Sequence, residues 1–308
     1  LCRHAHPKVT LSIEHVLVFL TSKAKLARQI WLIRVTSGGD GILLRLAVDH
    51  SFGFFAGVEQ VMATFVLVPG FWLGGWAWRD VAEPLRAAGH TVYPATLTGL
   101  GERAHLGGPQ TNLDTHVADV VNLLYYEDLR DVVLVGHSYG ALVITGAADQ
   151  VPEPIAKLIY VDTWPLPNGV CMIDLFSPQG REGPEEQVRL HGEGWRLPMP
   201  SWEDLDQGNE LRGLGDAERE RIRERAVGQP YGTTTQPVNN TNPAREALPR
   251  TAIWCTQSAA EAEQMATNYP KFCGTLAEPG WQFLELPTGH WPMFSRPRDL
   301  AELLARLV

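Results

Sequence analysis

Residues 131–146 read DVVLVGHSYGALVITG. The apolar run Val132–Val135 has the composition of a buried strand and stops at Gly136-His137-Ser138-Tyr139-Gly140. An apolar stretch with small residues spaced along it follows and opens a helix. A polar Ser held between glycines at such a junction has a physical use. In a strand–G-x-S-x-G–helix turn the backbone is so tight that neighbouring positions have no room for side chains, and the Ser oxygen is presented at the carboxyl edge of a sheet beside a helix N-terminus. The spacing predicts Ser138 as an exposed nucleophile; an ordinary Gly/Ser bend is the alternative.

Short apolar runs recur on both sides of this junction. Thr64–Val68, Thr91–Pro94, Val132–Val135, Leu158–Val161, Thr251–Cys255 and Gln282–Leu286 are expected strands. Helical periodicity lies between them, at Trp78–Ala88 and at Leu113–Leu124, the latter opened by Thr111-Asn112 and Asp114 as capping residues. Strands alternating with helices predict an α/β fold with a mainly parallel sheet covered on both faces, closed by a helix ending near Leu307. The stretch 164–249, rich in Pro, Gly, Glu and Arg, interrupts the alternation. It is too long for a structureless loop in a compact domain, so it is expected to be a cap inserted over the mouth of the sheet. Within it Asp216–Val227 reads as helix and Arg181–Arg196 as a solvated face of mixed charge.

The ends of other strands supply partners for Ser138. The last expected strand runs into Pro287-Thr288-Gly289-His290-Trp291, and a His on that loop can reach over the sheet to take the Ser proton. The first expected strand runs into Pro69-Gly70-Phe71-Trp72-Leu73-Gly74-Gly75-Trp76. There the Phe71 N–H is the expected partner of the Tyr139 N–H in holding an oxyanion. His137 reads as structural, and Thr98–His105 as pocket rim. Trp72, Trp164 and Trp291, with Trp195 and Trp202, are candidate walls of an apolar substrate pocket.

Composition bounds the rest. The 308-residue chain carries a net charge of −9, with no basic cluster, which argues against a nucleic-acid partner. Cys2, Cys171, Cys255 and Cys273 are scattered, with neither C-x-x-C spacing nor a dense framework, and read as reduced thiols of a cytoplasmic protein. No metal-ligand spacing and no dinucleotide motif is present, so neither metal nor cofactor is expected. No run approaches the roughly 20 apolar residues of a membrane span. Residues 1–61 hold seven Lys/Arg against four Asp/Glu, a net +3 that leaves about −12 on residues 62–308. With the first Met at position 62, directly before a strong strand, the domain is expected to begin there, and 1–61 to be an extension or leader. Gln29–Val35 and Gly41–Val48, separated by Thr-Ser-Gly-Gly-Asp, read alternatively as a hairpin that adds an antiparallel edge to a sheet.

Four stretches together, FVLVPGFWLGGWAW (Phe65–Trp78), TLTGLGERAHL (Thr96–Leu106), the Gly136–Gly140 turn and LPTGHWPMFSRP (Leu286–Pro297), resemble the α/β-hydrolase superfamily. More narrowly they are similar to its branch of carboxylesterases, pyrethroid-hydrolase-like enzymes, plant methyl esterases and hydroxynitrile lyases. The resemblance covers residues 63–308 and matches the cap in position only. It implies a serine carboxylic-ester hydrolase, without cofactor, that acts on a small to medium apolar ester or lactone through an acyl-enzyme. Two residues depart from the branch. Pro69 stands where His is usual before Gly70. After Thr251–Cys255, where the branch commonly places its acid, the chain reads Cys255-Thr256-Gln257-Ser258 with no Asp. Asp162, at the end of the strand Leu158–Val161, is the expected substitute, and Glu261 or Glu263 are the fallbacks. A missing acid also leaves room for a non-catalytic ligand-binding protein. A lyase fits less well, because those enzymes usually carry Thr at the Gly70 position and Lys at the Trp291 position.

Overall fold

The structure, a computed structural model, describes residues 10–15, 29–37, 40–48, 62–206 and 209–308. The chain falls into two compact units, Leu1–Val61 and Met62–Val308. In the first, β1 (Thr10–His15), β2 (Gln29–Ser37) and β3 (Asp40–Val48) form a three-stranded antiparallel sheet in the order β1-β2-β3. The hairpin read from the sequence is β2–β3, in register from Gln29↔Val48 to Ser37↔Asp40. It pairs with β1, which the sequence reading did not anticipate, in a three-stranded sheet.

The second unit is built on six parallel strands: β4 (Thr64–Val68), β5 (Thr91–Pro94), β6 (Val132–His137), β7 (Ile155–Val161), β10 (Arg250–Trp254) and β11 (Trp281–Glu285). Their order is β11-β10-β7-β6-β4-β5. The two-residue side-chain period divides each strand between two core layers. Val66 and Val68, Val132 and Leu134, Leu158 and Tyr160, and Ala252 and Trp254 face one layer. Phe65 and Leu67, Val133 and Val135, Ile159 and Val161, and Ile253 face the other. The first layer is covered by α2 (Leu113–Tyr126) and α3 (Gly140–Gln150), the second by α1 (Arg79–Ala87) and the C-terminal helix Pro297–Ala305. A strand buried on both faces must be apolar throughout, which is why β4 and β6 read as continuous runs. Asn112 caps α2 by accepting from the Thr115 N–H at 3.1 Å.

Chain order reverses between β4 and β6: β5 lies outside β4, and the chain returns to β4's other flank. Open parallel sheets bind ligands at such a switch point, beyond the carboxyl ends of the strands. The Pro69–Gly75 loop and the Ser138 turn both leave the sheet there. Between β7 and β10 lies an excursion that contains α4 (Pro178–His191), a two-residue antiparallel ribbon of β8 (Arg196–Leu197) and β9 (Gln229–Pro230), and the helix Asp216–Arg225. The stretch read as a solvated mixed-charge face is largely α4. Its buried Val188 and half-buried Arg181 and Pro184 form a stripe too thin to stand out as a helical pattern. No helix among the described residues is long and apolar enough to cross a membrane.

Candidate active site

Three loops that leave the carboxyl ends of strands hold non-glycine residues with left-handed backbone: Trp72 (φ 65°), four residues beyond β4, Ser138 (φ 51°) directly after β6 and Asp162 (φ 51°) directly after β7. Such geometry is costly for side-chain-bearing residues and persists only where the surroundings impose it. At Ser138 the surroundings are specific. A Cβ on Gly136 would lie 2.6 Å from the Gly140 carbonyl oxygen, and one on Gly140 2.7 Å from that of Val68. Both glycines are therefore required for the helix α3 to start this close to β4 and β6. A Cβ on Gly70 would come within 2.9 Å of the Ser138 Cβ, which places the loop after β4 directly against the turn.

Asp162 is held by main chain and side chain together. Its Oδ1 accepts from the N–H groups of Cys255 (2.8 Å) and Thr256 (3.0 Å), and the Thr256 hydroxyl donates to it as well. Its Oδ2 lies 2.7 Å from His290 Nδ1. Burial alone would push this carboxyl's pKa up. The His290 ring and the two backbone N–H groups outweigh burial and hold it at about 2, so the group is ionised. The turn after β10, which carries no Asp, thus supplies backbone amides to the carboxylate that follows β7. Ser258 and Glu261, at the place where the branch carries its acid, cap a helix. The Glu261 carboxylate accepts from the Ser258 N–H (2.7 Å) and hydroxyl (2.8 Å), and Glu263 is exposed.

His290 is fixed from three sides. Its carbonyl accepts from His137 Nε2 at 2.5 Å, its N–H donates to the Glu210 carbonyl at 2.8 Å, and Nδ1 donates to Asp162. Burial and the neighbouring His290 ring lower the His137 pKa to about 3, so His137 is a neutral strut. Arg212 donates to the carbonyls of Cys255 and Thr288, both at 2.8 Å, and so joins the turn that cradles Asp162 to the loop that carries His290. His137 was read as structural from the sequence, whereas the Arg212 support escapes sequence reading because it acts through main-chain carbonyls, which leave no residue signature.

Ser138 is half-buried, and its hydroxyl has no hydrogen-bond partner among the described residues. Neither the Phe71 nor the Tyr139 backbone N–H has a partner among the described residues. Unpaired main-chain donors are rare inside proteins, and two beside the Ser138 turn are able to hold an oxyanion. The Phe71 ring packs on the Tyr139 ring at 4.8 Å. Behind it, His116 Nε2–H donates to the Thr98 carbonyl (2.8 Å), which leaves Nδ1 to accept from the Tyr139 hydroxyl (2.9 Å). Burial lowers the His116 pKa to about 4 and raises that of Tyr139 well above its ordinary value.

Of the tryptophans, Trp72 donates its indole N–H to the Leu197 carbonyl, and Trp164 is half-buried with its indole bonded to the Phe272 carbonyl. Trp291 is buried in the layer under α1, its ring edge-on to His290 at 5.4 Å. Trp195 and Trp202 are half-buried in the excursion after β7. Among the described residues no group of three or more His, Cys, Asp or Glu is placed to hold a metal ion.

The alpha/beta hydrolase family model matches residues 65–303. The chain belongs to the alpha/beta hydrolase family. It is 35% identical, over 257 residues, to a carbendazim hydrolyzing esterase of Nocardioides sp. (strain SG-4G), a match that spans 80% of this chain and 100% of that protein. Methylesterase 8 of Arabidopsis thaliana is 32% identical over 107 residues, 34% of this chain and 39% of that protein. Among solved structures, an extracellular alpha/beta-hydrolase from a Paenibacillus species superposes with a TM-score of 0.67 at 23% identity, over 79% of this chain and 98% of that one. A pyrethroid hydrolase from Sphingobium faniae JZ-2 superposes with a TM-score of 0.61 at 22% identity, over 80% and 97%. These two likenesses are in fold.

Proposed function

We propose that this alpha/beta hydrolase is a serine carboxylic-ester hydrolase that works through an acyl-enzyme on a small to medium apolar ester or lactone. The observation that carries the proposal is the bond from His290 Nδ1 to the ionised Asp162, on a loop beyond the same sheet edge as the strained Ser138. The Ser138 oxygen attacks the ester carbonyl carbon while His290 Nε2 takes its proton. Asp162 keeps Nδ1 protonated, so that Nε2 is free to act as base, and stabilises the imidazolium that forms. The carbonyl oxygen, now negative, is held by the Phe71 and Tyr139 N–H groups, each typically worth about 3 kcal/mol of barrier. His290 then protonates the departing alcohol. Water, deprotonated by the same imidazole, releases the acid and restores Ser138. The excursion between β7 and β10 serves as the cap, with Trp72 and Trp164 as candidate walls; Trp291, buried in the layer under α1, backs His290.

Relatives that carry ester hydrolase names support the reading. The observation that favoured a non-catalytic ligand-binding protein was the absent acid, and Asp162 supplies one. Gly70 and Trp291 continue to weigh against a hydroxynitrile lyase. Buried, unpaired Cys171, Cys255 and Cys273 support a cytoplasmic setting, while Cys2 lies outside the described residues. The test is hydrolysis of p-nitrophenyl butyrate, and of carbendazim, by the wild type and by Ser138→Ala. Activity is expected in the first and none above background in the second. A wild type inactive on these and on longer and aromatic esters, with Ser138 unlabelled by a fluorophosphonate, overturns the proposal.

A further inference from the structure

The loop that carries the Phe71 N–H is gripped from the excursion after β7, and the grip centres on one buried side chain. Gln229 is 0% exposed. Its Oε1 accepts from the Trp72 N–H at 3.2 Å, and its Nε2 donates to the Thr233 hydroxyl oxygen at 2.9 Å. The Thr233 hydroxyl hydrogen is committed to the Pro230 carbonyl at 2.6 Å, so this oxygen can only accept from Gln229. The amide is thereby oriented, with its carbonyl end on Trp72. In the ribbon, Gln229 faces Leu197, whose carbonyl accepts the Trp72 indole N–H at 3.0 Å. Two residues before Gln229, the Val227 N–H donates to the Trp72 carbonyl at 3.0 Å. Trp72 is thus bound at its N–H, its carbonyl and its ring, all by this one ribbon and its flank.

Trp72 needs holding. It is a bulky residue at φ 65°, a conformation that is not self-sustaining. Its N–H belongs to the peptide that joins it to Phe71, so whatever fixes Trp72 fixes the plane that follows the Phe71 α-carbon. A donor contributes to catalysis only if it already points to where the oxyanion forms.

We propose that Gln229 is a positioning residue of the oxyanion hole, acting through the Trp72 N–H to aim the Phe71 N–H at the reacting oxygen. The inference rests on the serine-hydrolase reading above. It gives the inserted segment a part in the chemistry in addition to any part in covering the site: the β8–β9 ribbon holds the loop that carries one of the donors.

The experiment compares wild type with Gln229→Met, which retains side-chain length and removes the acceptor. Two inhibitors separate aim from general packing. 1,1,1-Trifluoropentan-2-one is attacked by Ser138 to give a hemiketal whose oxyanion occupies the hole. Butyramide occupies the acyl site without such an adduct. In Gln229→Met, kcat for p-nitrophenyl butyrate is expected to fall by about tenfold to a hundredfold, less than loss of a whole donor, with KM little changed. The inhibition constant of the trifluoroketone should rise by the same factor, and that of butyramide should stay. An unchanged kcat and ketone constant would overturn the inference, and so would a parallel rise for both inhibitors, which signals a distorted pocket. If Gln229→Met does not fold, Thr233→Val is judged by the same criterion, since it frees the Gln229 amide to turn. A wild type that neither hydrolyses the ester nor labels at Ser138 overturns instead the proposed function.

Discussion

Replacing Asp162 with Asn alters one atom, and the structure dictates what that atom does. The carboxylate sits between two kinds of partner: Cys255 and Thr256 N–H groups on Oδ1, and the His290 ring on Oδ2. The amide introduced by the substitution has one accepting end and one donating end. Turning its NH2 toward two backbone N–H groups would set donors against donors, so its oxygen takes the Oδ1 place and its NH2 faces His290 Nδ1. Nδ1 must then accept, which puts the ring proton on Nε2, where a base toward Ser138 is needed. The imidazolium of the transition state also loses its counter-charge. Wrong tautomer and lost charge together predict a fall in kcat of about ten-thousand-fold in a fold left intact, equivalent to about 5 kcal/mol of barrier. The assay is the initial rate on p-nitrophenyl butyrate at neutral pH, normalised to folded protein by circular dichroism. An Asp162→Asn enzyme that retains more than about a tenth of wild-type kcat would refute the assignment of the acid.

Glu261→Gln, in contrast, should leave kcat within about twofold of wild type, because surface substitutions away from a site are usually near-neutral and this carboxylate serves Ser258; a drop like that of Asp162→Asn would reassign the acid. Gly140→Ala places a Cβ 2.7 Å from the Val68 oxygen and 3.0 Å from that of Pro69, neither able to yield, and should destabilise by about 1–3 kcal/mol in urea unfolding while cutting activity. An unchanged unfolding midpoint would mean that the turn is looser than described. Stability should also fall with acidification. His137 and His116 stay neutral in the folded protein down to about 3 and about 4, whereas the unfolded chain protonates them near 6.5, so below that value the unfolded state binds more protons. At about pH 5 the loss is roughly 2 kcal/mol per ring. Asp162 adds loss in a lower window, its stabilisation being present above 3.8 and removed as pH falls through about 2. Urea midpoints that stay flat between neutral pH and pH 5 would contradict the burial of the two rings.

What the sequence made legible was local. β4 and β5 run over the residues expected, Thr64–Val68 and Thr91–Pro94; β4 is buried on both faces and stops at Pro69, which leaves few alternative readings, whereas β5 is an edge strand with Thr91 exposed. The Ser138 turn was legible because strand, glycines and helix are contiguous. β6 runs two residues past the apolar run, to His137, since Gly136 and His137 still pair with Tyr160 and Val161 of β7 although neither is apolar. Asp162 and His290 lie 128 residues apart, and their meeting was an expectation from strand order, which the described geometry shows as a contact. The supports were not legible. Arg212 works on carbonyls, and Gln229 sits in VGQPYGTTT, where two-residue strands leave no periodicity to detect. Tertiary position alone gives those residues their work.

The central claim is that Ser138 carries the acyl group. Its most direct test is rapid mixing of p-nitrophenyl butyrate with wild-type enzyme, followed by acid quench and peptide mass analysis. A burst of p-nitrophenolate near one equivalent, with a butyryl group on the peptide that contains Ser138, is the expected result wherever deacylation is the slower step, and slowing deacylation with His290→Ala after a brief high-substrate pulse should leave the same adduct in trace. Turnover with the butyryl group on another side chain, or steady hydrolysis by Ser138→Ala at the wild-type rate, would contradict it.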